Sequence, residues 1–235
     1  MDRFLIYHTI GPYSNKEIGA ELYCVSEEKF KEQMRYLAGV TETPGHQVTI
    51  ITFDDGDITN YTHAYPVLKE KGLKAHFFIL VGKVGESGYM NWQQIKELWN
   101  AGMAIGSHGM THRILTVLSE KEMDYELRES RRILERQLDS EIKYLSIPRG
   151  FCNKKVIKKT KEAGYKTVFT SNPGDDDGFL RGRIAVKANW DLAKFTRVVN
   201  NGLSFADLAE EFIKNLLKKL FGAGNYDKLR NHLLK

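Results

Sequence analysis

The chain has 235 residues, 42% of them hydrophobic and 28% charged, which suits one globular domain of the larger kind. Its net charge of +5 comes from Lys and Arg mixed with acids, without the basic stripe and interleaved aromatics of a dedicated nucleic-acid binder. Two cysteines, Cys24 and Cys152, with no CxxC pair, argue against a disulfide framework or a structural zinc site.

The opening "MDRFLIYHTIG" has too short an apolar run for a secretory leader, and no later run reaches membrane-spanning length. The expectation is a cytoplasmic soluble protein. A first strand is predicted at 3–8, then a helix over 26–39 with Ser26 as N-cap and Gly39 as its stop. A strand at 47–53, a helix at 60–72, a strand at 74–80 and a helix at 91–102 follow. Beyond the strand at 103–107, a helix over 119–138 opens on a Ser119/Glu122 capping box. The series ends with a strand at 142–148, a helix at 153–164, and strands at 166–171 and 183–187. Such alternation implies parallel strands with right-handed crossovers, and seven strands suggest a closed or nearly closed barrel. Residues 203–235 form a separate amphipathic extension, with Phe205, Leu208, Phe212, Leu216 and Leu220 on one face. It can pack on the barrel, dimerise, or make peripheral contact with an anionic membrane through 204–221.

In parallel α/β folds the chemistry collects at the C-terminal ends of strands. Asp54 and Asp55 leave the strand at 47–53 together, and adjacent carboxylates raise one another's pKa unless a cation is near. A polar turn with an Asp cap is the competing reading. In "GSHGMTHR", His108 and His112 stand four apart; on a helical turn both rings reach one point, as a transition metal requires. The alternative is one turn-capping and one wet histidine. Taken together, Asp55, His108 and His112 give two imidazoles and one carboxylate with positions left open, a hydrolytic and not a closed structural arrangement.

"TFDDG" followed by "SHGMTH", with "LKEKGLKAHFFIL" and "HRILTVLS" around them, resembles the polysaccharide deacetylase family, carbohydrate esterase family 4 or the NodB homology domain. The likeness runs from about residue 3 to about residue 187. It implies a distorted (β/α)7 barrel as a catalytic domain over 1–202, Asp54 as general base, and Asp55, His108 and His112 as ligands of a divalent metal. Zn2+ fits those ligands, and Co2+ or Ni2+ fits nearly as well. The implied reaction removes N-acetyl groups from amino sugars in a glycan, polysaccharide or lipid-linked glycan precursor. An O-acetyl esterase, a deformylase or a carbohydrate-binding pseudoenzyme on the same barrel are the alternatives.

Several positions depart from the family pattern. Gly109 stands where Ser or Thr is usual. "SIPRGF" (146–151) has Ser146 in place of an Arg and Arg149 in place of an aromatic. Arg149 and Arg183 are therefore candidates to orient Asp54 or meet the substrate. The usual late Leu-x-His, source of the general acid, is missing, since His232 in the tail is the only histidine after His112. His8 ends the first strand, which in a closed barrel lies beside the last. Its "YHTI" setting resembles the circularly permuted branch with poly-N-acetylglucosamine deacetylases, and this makes His8 the candidate acid. Tyr13, Tyr89, Trp92, Phe151 and Trp190 suit either sugar stacking or packing.

Overall fold

The computed structural model describes residues 2–12, 20–41 and 47–217, so Tyr13, His46, His232 and the tail from 218 onward lie outside the described residues. Ten strands are present among them: β1 (Arg3–Tyr7), β2 (Thr9–Ile10), β3 (Cys24–Val25), β4 (Thr49–Phe53), β5 (Ala75–Ile79), β6 (Ala104–Ser107), β7 (Tyr144–Ser146), β8 (Thr167–Thr170), β9 (Leu180–Gly182) and β10 (Ile184–Ala185). Eight of them form one parallel sheet in the order β10-β1-β4-β5-β6-β7-β8-β9, while β2 and β3 pair separately. Of the strand expected at 183–187 only β10 forms, and β9 lies just before that run. Val168 faces Leu180 of β9, and Leu5 faces Ile184 of β10. A single residue, Arg183, joins the two edges of the sheet. The barrel is nearly closed, and its seam is a covalent one.

Strand alternation sorts the residues into two cores. Outward-facing Leu5, Tyr7, Ile51, Phe53, Phe77, Ile105, Leu145 and Val168 pack with the helices into the main core. Inward-facing Phe4, Phe78 and Phe169 form a small separate cluster inside the barrel. Gly106 is required there. A Cβ at that position would lie 2.6 Å from ring atoms of Phe78 and 2.9 Å from the Tyr144 carbonyl oxygen.

The crossovers are α1 (Glu27–Thr41), α2 (Tyr65–Glu70), α3 (Trp92–Asn100), α4 (Glu120–Asp124), α5 (Ser130–Leu138), α6 (Lys154–Glu162) and α7 (Leu192–Asn201). Ser26 accepts from Lys29 N at 3.3 Å and caps α1, but Gly39 does not end it. Gly39 keeps ordinary helical backbone, and one mid-helix glycine costs only about 0.5–1 kcal/mol. Before α2 the chain makes a π turn over Asn60–Ala64, in which Tyr65 N–H bonds Asn60 O. The next residue, Pro66, has no N–H to continue the ladder. A second π turn, Tyr125–Glu129, joins α4 to α5, so the helix expected at 119–138 is continuous and its Ser119/Glu122 capping box is present. Helix α7 has no counterpart in the sequence reading, although its Asp191 cap and buried Phe195, Val198 and Val199 carry the usual signature.

A final helix, α8 (205–217), begins the tail. It meets the barrel through its polar side: Asp207 pairs with Lys194 at 2.8 Å, Glu210 with Lys187, and Asn215 donates to Asn172 Oδ1 at 3.2 Å. Phe205, Leu208, Phe212, Ile213 and Leu216 face outward, Phe205 being 89% exposed. No described helix is long and apolar enough to cross a membrane.

Candidate active site

Asp54 follows β4 and continues its inward alternation after Ile50 and Thr52. The next residue breaks the pattern. Asp55 adopts φ +72° and Gly56 φ +74°, so the chain turns back and Asp55 stays at the mouth and does not pass to the outer face. A left-handed aspartate carries a backbone cost, and the fold bears it at this turn.

His108 follows β6, buried, and its Nδ1–H donates to the Ser146 carbonyl at 2.9 Å. That bond fixes the tautomer and leaves Nε2 as a lone pair. The expectation of a helical His-x-x-x-His does not hold. Residues 108–112 form a loop, with Gly109 at φ +80° and His112 at φ +62°, and it is this reversal that brings the rings to 5.1 Å. Gly109, the departure from the family's Ser or Thr, has a physical reason: a Cβ there would lie 2.9 Å from Glu126 Oε2.

Asp55 Oδ1 lies 3.3 Å from His108 Nε2 and 3.4 Å from His112 Nε2, yet it accepts no hydrogen bond. Three lone-pair atoms converge on one point. Ligands held about 2.0–2.1 Å from a tetrahedral ion stand about 3.3–3.4 Å apart, so the set fits a divalent metal. Burial would raise the Asp55 carboxyl, but His112 and His108 outweigh it and hold it well below the usual range.

Asp54 is 4% exposed and is gripped by the seam residue. Arg183 Nη1 donates to Asp54 Oδ1 and Nη2 to Asp54 Oδ2, both at 2.8 Å, in a bidentate fork. The same guanidinium donates to Ser146 Oγ at 2.6 Å and Thr52 Oγ1 at 3.0 Å, and stacks over Phe78 and Phe169. Ser146 Oγ in turn donates to Asp54 Oδ2 at 3.0 Å. Burial works to raise the Asp54 pKa, but Arg183, then His108, prevail and keep it below its ordinary value. Asp54 is therefore a carboxylate, poised to accept a proton.

His8 immediately follows β1, which pairs with β10 as barrel closure requires. Its Nδ1 is buried without a hydrogen-bond partner, and its ring lies 5.3 Å from Tyr23. Arg149 stands half-buried on the turn after β7 at φ +59°. Arg183, of the two arginines, is the one in the fork with Asp54. Among the aromatics, Phe151 and Trp190 are buried and serve packing, whereas Tyr89 and Trp92 are half-buried.

Sequence reasoning missed Glu126, whose buried carboxylate binds the loop between the two histidines. Met123, Glu126, Leu127, Ser130, Leu134 and Leu138 are all buried on one stripe of the helix. An acid inside an apolar stripe was the available signal.

Fold and site together define a parallel α/β barrel protein with a candidate metal centre and a buried carboxylate at the strands' C-terminal mouth. The model of the family described as polysaccharide deacetylase matches residues 41–168, and the chain belongs to that family. It is 31% identical over 132 residues to the peptidoglycan-N-acetylglucosamine deacetylase of Bacillus cereus, covering 55% of this chain and 60% of that one. It is 28% identical over 188 residues to a poly-beta-1,6-N-acetyl-D-glucosamine N-deacetylase of Staphylococcus aureus, covering 67% of this chain and 63% of that one. The chain therefore spans less than two thirds of these relatives' length. Among solved structures, the Streptococcus pyogenes deacetylase PplD, in complex with acetate, superposes with a TM-score of 0.74 at 24% identity. That match covers 85% of this chain and 98% of the other, and it establishes the shared barrel.

Proposed function

We propose that this protein is a metal-dependent hydrolase that removes N-acetyl groups from amino sugars, with N-acetylglucosamine polymers as the substrate class. The observation that carries the reading is an ionised, Arg-held Asp54 beside the converging lone pairs of Asp55, His108 and His112. The names of the two relatives point to the sugar. Zinc is the metal proposed, held by those three residues. When bound, it polarises the acyl carbonyl and lowers the pKa of water at its open positions. Asp54 takes the proton of the attacking water, and Arg183 keeps that carboxylate ionised and aimed. His8 delivers a proton to the departing amine, and Arg149 meets the sugar at the rim.

The test is acetate release from soluble β-1,6- and β-1,4-linked N-acetylglucosamine oligomers, with protein as isolated, after chelation, and after return of zinc or cobalt. Release that vanishes and returns with metal supports the reading. No release under any metal, with metal stoichiometrically bound, overturns it in favour of another acyl group or a binding-only barrel.

We also propose that the outward face of α8 rests on an anionic membrane surface, which would suit a lipid-linked glycan. Its support is the exposure of Phe205 and Phe212, 89% and 68%, followed in sequence by Lys218, Lys219, Lys228 and Arg230. Full-length protein should co-sediment with phosphatidylglycerol vesicles, and equal sedimentation of a Phe205→Ser/Phe212→Ser variant would sink the idea.

A further inference from the structure

We propose that Glu126 is a positioning residue for the metal centre, a buried clamp that sets the loop between His108 and His112. Glu126 is 2% exposed and lies on the π turn between α4 and α5. Its Oε2 accepts from Met110 N at 2.7 Å and from Thr111 N at 3.0 Å, and its Oε1 accepts from the Thr111 hydroxyl. No Lys, Arg or His forms an ion pair with it among the described residues. A buried carboxylate is expensive unless its lone pairs are filled, and here the backbone between two candidate ligands fills them.

Every N–H of residues 109–111 has a partner. Gly109 N donates to Ser107 Oγ at 3.0 Å, while Gly109 O and Met110 O accept from Val81 N and Gly82 N, both at 3.0 Å. Of these N–H groups the other two, Met110 N and Thr111 N, both donate to Glu126. Its carboxylate thus decides where His112 begins, at a residue already held at φ +62°. Ser130 Oγ donates to Glu126 O at 2.6 Å and also accepts from Ser107 Oγ at 2.8 Å, which ties the clamp's backbone to the strand end before His108.

This inference rests on reading Asp55, His108 and His112 as metal ligands, and its test needs no sugar. Metal-free protein is titrated with Co2+ and followed by visible absorption, alongside thermal unfolding. Glu126→Leu should weaken Co2+ binding about 10–100-fold, the usual cost of losing a partner behind the ligands. Glu126→Gln keeps one acceptor oxygen and should recover part of that loss. Thr111→Val, lacking only the hydroxyl contact, should lose the least. If Glu126→Leu does not fold, the ranking of Glu126→Gln below Thr111→Val carries the test. A lower melting temperature with wild-type Co2+ affinity and spectrum would make Glu126 merely structural and overturn the clamp. Failure of the wild type to bind Co2+ would overturn the metal site, and the clamp with it. Absent acetate release with the expected Co2+ ranking would strike the deacetylase reading alone.

Discussion

Arg183→Met removes the guanidinium while keeping an unbranched stem over Phe78 and Phe169. The structure sets the size of the effect. Arg183 is 1% exposed, and the change deletes two 2.8 Å bonds to Asp54 together with those to Ser146, Thr52 and Thr170 O. Breaking a buried pair by removing one partner costs about 3–5 kcal/mol, because the other charge is left alone. For a chain of this size that lowers the melting temperature by about 6–20 °C. The pH dependence has a definite sign. In the native protein the depressed Asp54 pKa stabilises above the unfolded value near 3.8 and is lost as pH falls through the folded value. In the variant, burial acts unopposed by Arg183, so the Asp54 pKa rises. The deficit against wild type should be largest at neutral pH and shrink toward pH 4, as the carboxyl becomes neutral. Denaturant melts at pH 7 and pH 4 on wild type, Arg183→Met, Asp54→Asn and the double variant measure all of this. The double variant should lose less than the sum of the two singles, since asparagine needs no counter-charge. A loss below about 1 kcal/mol that does not vary with pH, or strict additivity, would refute the reasoning.

Three further outcomes follow from other parts of the barrel. His8→Gln should cut kcat for acetate release about 10²–10⁴-fold while Co2+ binding persists; unchanged turnover would remove His8 as the acid. His76 sits inside the barrel with its pKa pushed down to about 4, first by burial and then by Arg183. The unfolded chain binds that proton near 6.5 and the folded one does not, so native stability falls as pH drops from about 6.5 to 4. His76→Phe should abolish that part of the acid loss in urea midpoints at pH 7 and 5, and an identical pH dependence would contradict it. Gly106→Ala places a methyl 2.6 Å from the Phe78 ring and should cost about 1–3 kcal/mol of overpacking, whereas an unchanged melting curve would show the interior to be loose.

Much of this architecture was legible because strand and helix periods alternate so regularly. Ser119/Glu122, Asn91/Gln94 and Asn153 mark their helix starts as caps should. What escaped depends on tertiary closure. The last strand reads as a run at 183–187, yet only 184–185 pair there, with β1, while 180–182 just before that run pair with β8 at the opposite edge of the sheet. No local pattern distinguishes a strand from a seam. The His-x-x-x-His spacing suggested a helix for the same reason: left-handed Gly109 and His112 reach the same convergence by a route that spacing alone does not encode. Glu126 was different, since its place in an apolar stripe was visible and only its partners were not.

The departure at Ser146 shows how far the site is a property of the closed barrel. Ser146 stands where the family pattern has an arginine, and on sequence grounds Arg149, three residues away, looked the nearer replacement. The guanidinium instead arrives from Arg183, 37 residues later in the chain but 2.6 Å from Ser146 Oγ. An arginine at position 146 would have to share that space, since Arg183 already donates to both oxygens of Asp54 and lies against Phe78 and Phe169. Relatives with arginine at the place of Ser146 should therefore carry a small or neutral residue at the place of Arg183. A structure with both arginines directed at one buried carboxylate would show this exclusion to be wrong.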